Sequence, residues 1–225
     1  MSKYIITFSK NGNIKYTSHL DINRMFRRIL RKIGIQLEYS QGFNPHPKMN
    51  FAQPLSLGYE ANNEMLEITT KENYKPWFIE SELSSQMPMG IKIVGCQYAD
   101  DSVSSLAALA NQADFIIRFQ YDGEKDLNKC LQDYLGQKEI LIEKLNKKKK
   151  PVTINIREKI QSIGLVRHAN GLVEMKMKLD CGSASNLSPE YVISTFFDFA
   201  DVDVKRENVD VTREKIHFSK NVIKD

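Results

Sequence analysis

The chain has 225 residues, 41% hydrophobic and 27% charged, which excludes a disordered polar chain and fits one large domain or two small ones. No apolar run approaches the roughly 18 residues of a membrane helix. The apolar stretch at the N-terminus is too short for a signal peptide, so a cytoplasmic protein is expected.

The net charge of +4 is unevenly distributed. Residues 1–50 hold nine basic and two acidic residues, and the remainder is net −3. Such a concentration of positive charge points to an anionic partner. The three cysteines, Cys96, Cys130 and Cys181, are widely spaced and fit neither a disulfide framework nor a zinc motif.

Lys3–Phe8 reads as a strand from its β-branched and aromatic residues. Ser18–Ile33 reads as a helix, with Ile22, Met25, Phe26, Ile29, Leu30 and Ile33 at the spacing of a buried stripe and Gly34 as its stop. A short strand is expected at Gln36–Tyr39, then a loop over residues 40–53. Strands follow at Leu55–Tyr59 and Met65–Thr70, a helix at Pro76–Ser85 and a strand at Ile91–Tyr98. The order is β-α-β-β-α-β, a ferredoxin-like half. Residues 100–112 read as a linker.

The order then repeats over residues 113–225. Strands are expected at Phe115–Phe119, Ile140–Leu145, Leu172–Leu179 and Val209–Phe218, with helices at Glu124–Tyr134 and Ser188–Phe199. Asn146–Asn170 reads as an insertion after the second of these strands. The expected fold is therefore α+β, with two tandem ferredoxin-like halves.

Three features of the first half carry the functional reading. Ser18 and Asp21 form a capping signature, which leaves His19 in the first turn of the helix unexplained. Arg24, Arg27, Arg28 and Arg31 share the face opposite the apolar stripe. Arginine favours bidentate contacts to phosphate, so this face reads as a surface for RNA phosphates, joined by Lys48. The segment Tyr39–Lys48 holds Pro45 and Pro47 on either side of His46, which stiffens the loop. Its Gln41, Gly42, Phe43 and Asn44 read as a ligand loop, with Phe43 able to stack on a base. His19 and His46 are the candidate acid–base pair. No metal site is expected.

Other signals are weaker. Lys147–Lys150 reads as a solvated loop and Gly182–Asn186 as a weak anion nest. Trp77 reads as helix packing, and His168 and His217 have no assigned role. The P-loop, dinucleotide and zinc-protease motifs are absent, as is the cysteine triad that holds a radical SAM cluster.

The run Tyr16–Ile68 contains Ser18-His19-Leu20-Asp21, Tyr39–Pro47 and Pro54–Gly58 in that order. In this it resembles the radical-SAM-linked family of unknown function, which occurs alone or fused behind a B12-type radical SAM protein. That family is often encoded beside ribonuclease G and ribosomal-protein genes. The resemblance implies a radical SAM partner that carries the iron–sulfur cluster and SAM, with no cofactor in this chain, and a tRNA or rRNA context. The expectation is an RNA-binding accessory protein for RNA modification. The alternatives are a stand-alone RNA-processing or RNA-modifying enzyme using His19 and His46, and a module that docks the radical SAM partner without RNA.

Overall fold

The first helix has sharp limits set by its own residues. In the computed structural model, which describes residues 1–100, 102, 104–146 and 149–224, helix α1 spans His19–Lys32. Ser18 Oγ accepts the Asp21 N–H at 3.2 Å, satisfying one of the orphan donors of the first turn. Past the other end, Gly34 takes a φ of +79° and stops the helix at little steric cost. The stripe of α1 buries Ile22, Phe26, Ile29 and Leu30 against Phe8, Phe51, Leu66 and Ile68 of one core cluster. Each fully buried side chain of this size contributes about 1.5–3 kcal/mol.

The chain divides into two compact units, Met1–Asn111 with Arg213–Asp225, and Gln112–Thr212. In the first unit, β1 (Ser2–Lys10) lies between β3 (Glu60–Thr70) and β4 (Ile91–Tyr98), antiparallel to both. The three-residue β2 (Met49–Phe51) pairs with Leu66–Ile68 of β3. Helix α2 (Pro76–Gln86) joins β3 to β4 and buries Ile79 and Leu83. The order β1-α1-β2-β3-α2-β4 is the β-α-β-β-α-β sequence expected for this half. Before β4, Gly90 has a φ of +95°, and a Cβ there would lie 2.6 Å from the Asn11 carbonyl oxygen. The close approach of these two segments therefore requires glycine.

Two expected strands are displaced. Residues 36–39 touch the sheet through one bridge, Leu37 to Thr70, while Tyr39 bridges to Pro47 within the loop, because Met49–Phe51 occupies the ladder on β3. Residues 55–59 form a turn. Pro54 supplies no donor, and Gly58, with a φ of +82°, gives its N–H to the Lys15 carbonyl at 2.9 Å. Trp77, expected to pack, is 68% exposed.

The segment expected as a linker, 100–112, contains helix α3 (Leu106–Leu109) and the first residues of β5 (Ala110–Gln120). Leu106, Leu109 and Ala110 are buried in a cluster with Ile5, Ile216 and Val222. For the same reason the C-terminal residues differ from the expected division at 113. From Arg213 the strand β10 (Asp210–Phe218) belongs to the first unit, beside β3.

In the second unit β9 (Leu172–Asp180) lies between β5 and β8 (Ile160–Ala169), antiparallel to both. Helix α4 (Leu127–Gly136) starts three residues later than expected, because Asp126 caps it by accepting from the Asn128 and Lys129 N–H groups. Helix α5 (Pro189–Ala200) is capped by Ser188. Tyr134 of α4 meets Phe196 of α5 edge-on at 5.5 Å, and its hydroxyl bonds Thr195 Oγ1 at 2.7 Å.

The expected strand at Ile140–Leu145 is β6 (Leu141–Leu145), but it pairs with β7 (Pro151–Asn155) in a separate hairpin. The insertion is thus this hairpin, and β8 is the strand that joins β9. Asn170 and Gly171, with φ of +53° and +73°, form the tight turn between β8 and β9, a conformation that Asn-Gly favours. Of the lysine run, Lys147 and Lys148 lie outside the described residues.

Candidate nucleic-acid interface

The first turn of α1 sits over a buried group of charges. Lys10, the last residue of β1, is 2% exposed, and its ammonium donates to the Lys15 and Thr17 carbonyls at 3.1 and 3.0 Å. Glu64 of β3 receives two hydrogen bonds from the Arg213 guanidinium at 2.6 and 2.7 Å. Arg213 also donates to the Pro54 and Gln53 carbonyls at 3.1 and 3.0 Å. A buried carboxylate is tolerated only when paired and hydrogen-bonded in this way.

His19 packs edge-on against Phe51 at 4.9 Å. With Phe8, Lys10, Ile22, Phe51, Leu55 and Glu64 it lines a cavity of ≈ 10 Å³, roughly the space of one water. Burial lowers the pKa of His19 below its ordinary value; Glu64 opposes this, and Arg213 and Lys10 add to it. Lys10 is also lowered, first by burial. The neutral form of His19 is therefore favoured against an aromatic wall, and His46 is not among the described residues around it.

Asp21 has a local role. Its carboxylate accepts from the Ser18 hydroxyl at 2.7 Å and from Arg24 at 3.0 Å, and these bonds lower its pKa. The Arg24 contact commits one of the four arginines of the basic face to a carboxylate. Arg27 reaches Asn23 Oδ1 only at 3.4 Å, and its Nε is buried with no hydrogen-bond partner among the described residues. Neither Arg28 nor Arg31 makes a side-chain ion pair among the described residues. Three of the four arginines thus remain uncommitted to any carboxylate.

The loop after α1 is closed at its base. The Ser40 N–H donates to the His46 carbonyl at 2.8 Å, and Ser40 Oγ accepts the His46 N–H at 3.0 Å. The Lys48 N–H donates to the Glu38 carbonyl at 2.7 Å. Gln41, Gly42, Phe43, Asn44 and His46 all lie exposed between these ties. Phe43 is fully exposed, and Gly42 has a φ of +124°.

A larger cavity of ≈ 330 Å³ opens beside the C-terminal end of α1. Arg27, Arg31, Gly34, Leu37, Tyr39 and Lys71 are among its lining residues, and among the described residues no carboxylate lines it. Lys71 follows β3 and carries no sequence motif. Only its placement beside the arginines marks it.

Elsewhere the weaker signals have local explanations. The turn at Gly182–Asn186 is closed by the Gly182 N–H to the Ser185 carbonyl and by Ser185 Oγ donating to Asp180 at 2.6 Å. His168 Nε2 lies 3.2 Å from the Tyr121 carbonyl oxygen. Among the described residues the three cysteines form no disulfide, and burial pushes the Cys96 thiol up to about 12. Among the described residues no group of three His, Cys, Asp or Glu side chains is placed to hold a metal ion. No described helix is long and apolar enough to cross a membrane.

Residues 3–189 match the family DUF2344, described as uncharacterised proteins conserved in bacteria. The chain belongs to that family. The DUF2344 match takes in α1, the Ser40–Lys48 loop and Lys71 together. No curated protein matches the chain.

Among solved structures, the crystal structure of a Cbf5-Nop10-Gar1 complex contains a chain of similar fold. Its TM-score is 0.53 at 10% identity, covering 95% of this chain and 48% of that one. The structure of an H/ACA RNP bound to a substrate RNA containing 2'-deoxyuridine aligns at a TM-score of 0.49 and 11% identity, over 95% of this chain and 47% of that one. The archaeal box H/ACA sRNP Nop10-Cbf5 complex aligns at 0.48 and 10%, again over 95% and 47%. The chain spans about half the length of these chains. At such identities the likeness concerns fold alone.

Proposed function

We propose that this protein binds structured RNA, tRNA or rRNA, through the basic face of α1 and the Ser40–Lys48 loop. It would present that RNA to a radical SAM enzyme, which supplies the iron–sulfur cluster, SAM and the modification chemistry. The observation that carries the reading is the arginine face. Among the described residues Arg28 and Arg31 have no carboxylate partner, and Arg27 lacks one too, although like charges at this helical spacing repel. A surface that keeps such charges free is suited to phosphates. The exposed Phe43 beside Asn44 adds a group on which an unpaired base can stack.

Titration with bulk tRNA and rRNA at increasing salt tests the RNA half of the reading. Affinity that falls steeply with salt supports it, and no affinity at low salt refutes it. Co-purification with the radical SAM enzyme tests the other half. A complex that survives nuclease digestion and binds no RNA would instead favour a docking module. The reading as a stand-alone enzyme using His19 and His46 is less well supported, because the space at His19 holds no more than about one water.

A further inference from the structure

We infer that the cavity between α1 and the end of β3 binds a terminal phosphate and its nucleotide. The inference rests on the RNA reading above and names the part of the RNA that this cavity takes. Arg27 and Arg31 come from α1, and Lys71 from the chain just after β3. Cations in the last turn of a helix are commonly explained by the macrodipole, which covers Arg31. It does not cover Lys71, which belongs to another element, is exposed and makes no ion pair among the described residues.

Three cations around one concave space, with no carboxylate among the described residues that line it, favour the ligand of highest charge density. An internal RNA phosphate carries one negative charge. A terminal phosphomonoester carries about −1.5 to −2 near neutral pH and offers three oxygens to guanidinium forks. Tyr39 and Leu37 provide the apolar wall that a sugar or base needs. The ≈ 330 Å³ volume lies at the small end of ligand pockets, near the size of one nucleotide. The same chemistry is shared by the end of an RNA and by a free mononucleotide.

The test compares one labelled oligoribonucleotide in three forms, with a 5′-phosphate, with a 3′-phosphate and with hydroxyls at both ends, by fluorescence anisotropy. Calorimetry with AMP alone is the fourth arm. At least one phosphorylated form should bind about tenfold more tightly than the hydroxyl form, the equivalent of one charge-assisted contact. Lys71→Ala should bring that ratio close to one. Arg28→Ala, outside the cavity, should weaken all three forms and preserve the ratio.

Equal binding of all three forms by the wild type overturns this inference and leaves the RNA reading standing. Binding of AMP without binding of any RNA overturns the RNA reading and assigns the cavity to a free nucleotide. Binding of neither overturns both.

Discussion

Glu64 and Arg213, 149 positions apart in the chain, form a two-pronged ion pair at 2.6 and 2.7 Å, with side chains 3% and 4% exposed. The pair holds the C-terminal strand to β3 and, through Arg213, anchors the carbonyls of Gln53 and Pro54. Removing one partner leaves the other charge buried. Arg213→Met should therefore cost about 3–5 kcal/mol. Glu64→Leu with Arg213→Met should recover a large part of that loss, since apolar pairs can replace buried ion pairs. Urea unfolding midpoints of the single and double variants check both statements.

His19 should make stability depend on pH. Its pKa in the folded protein is lowered from 6.5, chiefly by burial, so the unfolded chain binds the proton more readily. Its contribution is fully present above the unfolded pKa. It is lost as pH falls below about 6.5 toward the lowered folded value. Lys10, Glu64 and Arg213 are the charged groups that act on this imidazole. Replacing His19 by Gln should therefore reduce the drop in unfolding free energy between about pH 7.5 and pH 5.5. Denaturant titrations at the two pH values measure the difference.

Arg28 is exposed and makes no ion pair among the described residues, so its removal should leave the fold intact. If it contacts RNA phosphate, Arg28→Ala should lower the slope of log affinity against log salt by about 0.7–0.9. Arg24→Ala should do less, because Arg24 is already held by Asp21 at 3.0 Å. Filter binding over a salt series, run on both variants, distinguishes them.

Phe43→Ala should leave the thermal midpoint unchanged, since the ring is exposed and buries nothing within the chain. Affinity for single-stranded RNA should fall by about 1–3 kcal/mol, the worth of one stacked base. Affinity for a fully paired duplex should change little. Paired anisotropy titrations on the two RNAs decide this.

The arginine face and the cap of α1 were legible because helical neighbours lie three and four positions apart in the sequence. Ser18, Asp21, Ile22, Phe26, Ile29 and Leu30 take the roles that their spacing implies. The strand before the Asn170–Gly171 turn was not legible in this way, since it fell within the expected insertion. Lys71 was not legible: a lone lysine after a strand looks like any solvated residue until the chain folds it beside Arg27 and Arg31.

The sequence alone determined the α+β class, the β-α-β-β-α-β order of the first half, the limits of α1 and the concentration of positive charge in the first fifty residues. These follow from local periodicity, capping chemistry and counting. The tertiary structure decided that Met49–Phe51, rather than residues 36–39, pairs with β3, and that Arg213 returns to Glu64. It also decided that His19 faces a cavity of about one water while Arg27 and Arg31 border one near nucleotide size. Such outcomes depend on which distant segments compete for one strand edge and which buried charge finds its partner, and no local pattern encodes that competition.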